Sequence, residues 1–568
     1  MKKLKIGFLI DNNEVSSYDF DLIEHVKKSE LFENPILISG YNKIYKNLFH
    51  RIKGVFKKNL FKVIDLRLIG LIKKLIHKIE YKSAANLYPN YEKKITLNKD
   101  TTNELISVEG LWSKTSIFLD FTEADLLKIS EAKLDCIIRC GSGILKGKIL
   151  NLPKFGILSI HHGDNRKNRG GPTGFWEVIN NDPSSGFIIQ KLNNELDGGE
   201  VLIRGNFMTK DMWLKNHAML LEKSNIFFKN LLDYIAKNNS LPPKEGPRLH
   251  DKKLFRLNSS IILIYYFLKI LAPKILKTTF YPKILRKIIA KIFGENVQRW
   301  SIAYSSHNGF SKSLWRYKEI KNPKNRFLAD PFIFEKDKST FIFVEDFFYS
   351  DKKGRISAIQ ITENSYNFVG VVLEENFHLS FPYVFENQGE IFMVPETFKN
   401  KDIRLYKCVE FPTKWKFEKI LMNNISAADT MLIHRDDKWF MLTNICSGTY
   451  DDHQSELHIF YADNLMANEW YPLKSGNPVI FDSLTARNGG LFRENNELFR
   501  VNQIQGKDHY GKSFGINKII ELNINTYREE RVSTINSDFK NDINSTHHFN
   551  ANKKFAVVDF CRFERHKN

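Results

Sequence analysis

One pattern comes back five times in the second half of the chain, and it leaves few folds open. Each copy is an apolar run of strand length, a short polar turn and a second apolar run. The copies are residues 329–335 with 340–345, 381–386 with 390–396, 428–433 with 438–442, 487–492 with 497–501, and 546–550 with 554–559. Two such runs across a turn make a hairpin. Hairpins that return every 47 to 60 residues or so mark a propeller, one sheet per blade. Helical periodicity is gone from Trp300 onward. The second half is therefore expected to be an all-β five-bladed propeller over 299–568.

The first half reads differently. Lys5 to Ile10 has a buried-strand pattern, residues 17–30 a helical one, and 35–40 a second strand. This βαβ opening predicts an α/β, Rossmann-like, doubly wound sheet. Strand-like pieces at 105–111 and 117–121 and a helix over 123–132 follow. Residues 135–145 form a strand entering a glycine loop, without the GxGxxG spacing of a dinucleotide site. The most informative stretch is 155–207. A strand over 156–160 ends on His161-His162-Gly163-Asp164, and a polar, Gly-rich loop follows. A helix is predicted to start at Gly171-Pro172-Thr173, then a strand over 186–189, an Asp197-Gly198-Gly199 turn, and a strand over 201–203. A helix over 209–237 closes the domain. An imidazole at one strand end and a carboxylate at a later turn can meet at one rim of such a sheet, where open α/β sheets keep their sites.

This segment resembles the catalytic domain of the 10-formyltetrahydrofolate-dependent formyltransferases. Their signature is Asn-x-His at a strand end, a loop with Arg-Gly, and an Asp in a Leu-Asp-x-Gly turn. Here the slots hold Ser159-Ile160-His161, Arg169-Gly170 and Leu196-Asp197-Gly198-Gly199, with 36 residues from His161 to Asp197. One position departs, because the family Asn is Ser159. Formyl transfer to an amine needs a donor for the developing oxyanion, a base for the amine proton, and a carboxylate to hold the imidazole. The resemblance implies that His161, Asp197 and Ser159 fill these roles. Ser159 reaches less far than an Asn amide; losing one such donor costs ~10²–10³ in rate if nothing replaces it, and His162 or Asn165 is the candidate replacement. The resemblance further implies Gly141, Gly143, Ile144 and Leu145 at the folate, and His162, Asp164, Arg169 and Trp176 at the acceptor. In the other reading His161 and His162 are structural and Asp197 is an ordinary turn residue.

The second half resembles propellers of the family 43 glycoside hydrolase type. Through its ADPF and FPYVFE…VPE segments it is more similar to the propeller-like module beside glycosyltransferase domains in plant sphingolipid glycosylation enzymes. Propeller glycosidases place acids from different blades around one pocket, as base and acid. Asp330 and Asp429 start inner strands, and Glu396 ends one. They either converge on that pocket or belong to blade turns in a funnel that binds sugar without cutting it. His547, His548 and Arg487 are further candidates for its wall.

Length and charge set the remaining bounds. At 568 residues the chain exceeds one ordinary core. The boundaries expected are a catalytic domain over 1–240, linker and connector helices over 241–298, and the propeller. The formal charge of +20 favours anionic partners. Residues 43–82 carry twelve Lys/Arg against two acids, interleaved with apolar positions three and four apart. That is either a basic amphipathic helix for an anionic membrane surface or a packed helix with solvated lysines. The apolar run at 259–268 is too short to span a bilayer. Five scattered cysteines without zinc spacing suggest a reduced, cytoplasmic protein with no metal. The function expected is formylation of an amino sugar, nucleotide- or lipid-linked, in surface glycan biosynthesis, near the inner membrane face and without nucleic acid. The alternative is a glycan-binding or hydrolytic propeller protein carrying a degenerate formyltransferase scaffold.

Overall fold

The computed structural model describes residues 2–39, 60–98, 104–113, 117–167, 169–194, 199–245, 254–276, 295–306, 313–448 and 452–566. The chain divides into two compact units, Met1–Lys277 and Thr278–Asn568.

The first unit runs β1 (Ile6–Leu9), α1 (Ser17–Lys28), β2 (Ile36–Ser39), α2 (Leu60–Leu87), β3 (Glu104–Ser107), α3 (Glu123–Glu131), β4 (Cys136–Arg139), β5 (Ile157–His161), α4 (Trp176–Asn180), β6 (Ser184–Lys191), β7 (Glu200–Met208), α5 (Trp213–Asn238) and α6 (Ser260–Tyr266). The sheet order is β7-β6-β5-β4-β1-β2-β3. The five strands from β3 to β5 are parallel, and β6 and β7 add an antiparallel edge. The central strands are buried on both faces, as parallel sheets require. On one face Ile38, Ile137 and Ile157 pack against Leu126 and Ile129 of α3. Chain order reverses between β1 and β4, the kind of switch point at whose carboxyl edge open α/β sheets keep their sites.

Two expectations are corrected. The helix foreseen from Gly171 begins only at Trp176 and is short. Gly174 holds φ +70°, and its Cβ position lies 3.1 Å from the His217 amide nitrogen, so the left-handed residue delays the helix. The strand foreseen over 201–203 extends over Glu200–Met208. The part of the basic insert before Leu60, and residues 277–294, lie outside the described residues.

Among the described residues the second unit holds five sheets. Each of the five sequence copies is an antiparallel hairpin in its own sheet. The sheets begin with Arg326–Lys336, Ser380–Asn387, Ala427–Arg435 and Asn488–Glu494, and the fifth joins Glu295–Ser306 to Phe555–His566. That last pairing is antiparallel along its whole length, from Glu295 opposite His566 to Ser306 opposite Phe555. Consecutive sheets share apolar cores, and so do the last and the first: Phe514 and Val501 pack with Phe549 and Val558, while the next residue, Val557, and its strand partner Tyr304 pack with Ile342 and Ile359.

Candidate functional site

In the first unit, His161 is the last residue of β5, and the loop after β4 carries Gly141 and Gly143. Since β4 and β5 are parallel neighbours, both arrive at the same carboxyl edge of the sheet. Side chains alternate along a strand, so Ser159 and His161 share a face, the one on which Ile157 packs toward α3. Ser159 is buried and His161 half-buried. The Ser159 hydroxyl lies 3.5 Å from the Ile160 carbonyl, a weak contact that leaves it able to turn. Asp197 lies outside the described residues, as do the structure of Asn168 and the side chain of Arg169.

His162 points the other way, toward α5. Its Nε2 is 3.1 Å from the Ser224 hydroxyl. Burial pushes its pKa down to about 3, with help from His217 and His161. His217, also on α5, is pushed down to about 4 by burial, and its Nδ1 sits 3.0 Å from the Tyr91 hydroxyl. These two imidazoles are therefore neutral near pH 7. Asp164 is fully engaged by arginines: Arg166 Nη2 donates to it at 2.7 Å and Arg204 Nη1 at 2.5 Å. Arg204 also donates to Asn165 at 3.0 Å and to both oxygens of Glu245 at 2.8 Å. Burial would raise the Asp164 pKa, but the arginines hold it below the usual range. Trp176 donates through Nε1 to the Gly171 carbonyl and packs on Phe255.

The glycine loop is set by packing as much as by any ligand. Gly143 has φ +86°, and a Cβ there would lie 2.6 Å from the Trp112 ring. Arg139 donates to the Gly143 carbonyl, and Ser142 N–H to Asp11 at 2.8 Å. Leu145 belongs to the core. Gly141, Gly143 and Ile144 remain half-buried at the edge.

The second unit concentrates charge where sequence reading placed Asp330, Glu396 and Asp429. The first strand of each of three hairpins is bulged at the same place, between Ala329 and Phe332, Ser380 and Tyr383, and Ala428 and Met431. Asp330 and Asp429 sit in these bulges at φ +50°, and Phe381 at φ +46°. An extra residue at positive φ turns a side chain out of the pleat. Arg487 Nε donates to Asp429 at 2.6 Å, and its Nη2 lies 3.7 Å from Glu396. Gln503 donates to Asp429 at 3.0 Å, and Ser380 to Glu396 at 3.1 Å. His547 Nδ1 pairs with Asp559 at 2.6 Å, while its Nε2 lies 3.7 Å from Asp330. Trp300 stacks on the His547 ring at 4.0 Å.

Five buried carboxyls, Asp330, Glu345, Glu396, Asp429 and Asp559, thus gather with Arg487 and with His547, His548 and His378. Burial first, then Asp429 and Asp559, push Asp330 up to about 7 against the pull of His547. Burial and the other acids raise Glu345 and Glu396 well above the usual range. For Asp559 the cost of burial is outweighed by His547, and its pKa falls. Glu345 and Glu396, with raised pKa values, thus stand in one cluster with Asp559, whose pKa is lowered, the kind of separation that supplies both acid and base. Ligand atoms of Asp330, His547 and Asp559 lie within 4.8 Å of one another, so this trio is where a metal ion could be held. Sequence reading missed Glu345 and Asp559. Both close the second run of a repeated hairpin, as Glu396 does, and that shared position was the available signal. Past the bulges these strands and their neighbours line a cavity of about 300 Å³ walled by Phe332, Tyr383, Trp439 and Phe492.

The family described as Glucosamine inositolphosphorylceramide transferase 1, N-terminal, matches residues 315–559. The Arabidopsis thaliana protein named Glucosamine inositolphosphorylceramide transferase 1 is 33% identical over 215 residues, which is 37% of this chain and 28% of that protein. The chain therefore spans little more than a quarter of the plant relatives it matches. A methionyl-tRNA formyltransferase of Clostridium beijerinckii is 23% identical over 239 residues, 39% of this chain and 68% of the relative. Among solved structures, the catalytic domain of a Coprinopsis cinerea GH62 α-L-arabinofuranosidase aligns with 46% of this chain and 97% of its own, at 11% identity and a TM-score of 0.32. The N-terminal region is formyltransferase-like, and both halves are similar to transferases.

Proposed function

We propose that this chain transfers the formyl group of 10-formyltetrahydrofolate to the amine of an amino sugar, and that the five sheets of the second unit close as a propeller that holds carbohydrate. The observation that carries the reading is the arrival of His161, Ser159 and the Gly141–Gly143 loop at one carboxyl edge of the sheet, inside a formyltransferase-like region. In the transfer the acceptor nitrogen bonds to the formyl carbon and the bond from that carbon to the folate nitrogen breaks. The His161 imidazole takes the proton leaving the amine and returns one to the folate nitrogen. The Ser159 hydroxyl and the His161 ring donate to the oxyanion between these events, and Asp197 orients the ring. An amino sugar is the favoured acceptor because the plant relatives' name includes glucosamine. The propeller is supported by the core shared between successive sheets and by the pairing of the unit's first and last strands.

The test is incubation of the full chain with 10-formyltetrahydrofolate and a panel of nucleotide-linked amino sugars, read by mass spectrometry. A formylated sugar is expected. If no amine on the panel is formylated while glycan binding persists, the reading is overturned. The acid cluster favours a second reading, sugar hydrolysis between Asp330 and Glu396, which release of free sugar from aryl glycosides would reveal.

A further inference from the structure

Large apolar side chains left in water are concentrated in two helical segments of the first unit. Of the 26 exposed ones among the described residues, 11 lie within residues 60–87 and 260–276. These two segments are a small part of the described residues, so the clustering is far from even. On α2 the exposed row is Ile64, Leu68, Leu71 and Leu75, spaced four, three and four, with Leu71 at 64% exposure. On α6 and its continuation through Phe267–Leu271, the row is Ile261, Ile264, Tyr265 and Leu268, with Ile261 at 71%. Both spacings put their residues on a single helix face.

Neither row is the face that folds the protein. Other sides of the two helices, Ile69, Ile72, Ile76 and Ile79 of α2 and Leu263, Tyr266 and Ile270, share one core with Phe175 and Val178. The two helices are neighbours, since Asp65 accepts from Ser260 N–H at 2.8 Å and Glu80 from the Tyr266 hydroxyl at 2.5 Å. Each helix therefore buries one apolar face and offers a second one outward.

The charge beside the outward rows is of one sign. Arg67, Lys74, Lys78 and Lys82 are exposed on α2 and make no ion pair among the described residues. The two acids of α2 itself are both spent inward, Asp65 on Ser260 and Glu80 on Leu214 N–H and Tyr266. Among the described residues no helix is long and apolar enough to cross a membrane. A strip of leucine and isoleucine bordered by unpaired cations, on helices too short in apolar run to span, matches an anionic interface in both shape and sign.

We propose that the outward faces of α2 and α6 dock this chain on an anionic lipid bilayer, the apolar rows entering the acyl boundary and the α2 cations meeting headgroup phosphates and carboxylates. This stands apart from the catalytic reading and does not depend on it.

The test is sedimentation of the full chain with phosphatidylcholine vesicles that contain or lack phosphatidylserine. Binding is expected with phosphatidylserine and is weakened by salt. Leu71→Asp with Leu268→Asp should lower partitioning by at least about tenfold. Lys74→Ala and Lys78→Ala should each lower it roughly fivefold, the equivalent of about 1 kcal/mol per cation at such a surface. All these positions are exposed, and unchanged circular dichroism and melting confirm that the variants fold. Equal binding to both vesicle types, or no effect of either pair of substitutions, overturns the proposal. So does a dimer in solution that Leu71→Asp dissociates while vesicle binding is absent, since a second copy would then be the occupant.

Discussion

Arg487→Met should make the second unit's stability steeply dependent on pH. Arg487 is buried, bonded to Asp429 at 2.6 Å and 3.7 Å from Glu396. Methionine fills much of its volume and brings no charge. A carboxyl of this cluster that lacks a bonded cation is represented by Asp330, held at about 7. Moving one carboxylate from its unfolded value of ~3.9 to that level costs about 4 kcal/mol at neutral pH, within the range for breaking a buried pair. The sign follows from linkage. A carboxyl whose folded pKa is raised is fully tolerated below its unfolded pKa, and stability is lost as pH rises toward the folded value. The loss should therefore shrink to about 1.5 kcal/mol near pH 5. Urea titration read by hydrogen exchange in peptides of Ala427–Arg435 isolates this unit's transition from that of the first. A loss below about 1 kcal/mol at both pH values, or an equal loss at both, would refute the reasoning.

Two further outcomes concern the first unit. Gly143→Ala should destabilise it by roughly 1–3 kcal/mol, because φ +86° and the Trp112 ring 2.6 Å away both oppose a Cβ; a thermal melt reads this. His162 and His217 are held neutral, at about 3 and about 4, so the unfolded chain binds more protons below its ordinary histidine pKa of ~6.5. Stability should accordingly fall as pH drops from ~6.5 toward 4, and His162→Gln should flatten part of that slope in denaturant titrations at stepped pH.

What could be read beforehand follows from how local each signal is. The five hairpins were legible because each is written in consecutive residues, an apolar run of strand length on either side of a polar turn, as in Phe341 to Val344. The bulges were not, since positive φ at Asp330 and Asp429 depends on which strand residues pair. Asp330 and Asp429 were found through their motifs, whereas Glu345 and Asp559 were signalled only by sharing with Glu396 the last place of a hairpin's second run. In the first unit, His161 at the end of β5 was visible as a strand stop. The engagement of Asp164 by Arg204, 40 residues away, was not. The stretch around Pro242 and Pro243 reads as a linker, yet Glu245 is tied to Arg204 and its N–H donates to Val201. Composition reports flexibility, and a single distant cation reversed it.

The account stands or falls on the ring at the end of β5. Single-turnover transfer of isotopically labelled formyl from 10-formyltetrahydrofolate to an amino sugar, compared between the native chain and His161→Asn, tests it most directly. The expected result is labelled N-formyl sugar from the native chain and a rate lower by ~10²–10⁴ in the variant, with the fold unchanged by circular dichroism. Equal rates from both proteins would contradict it.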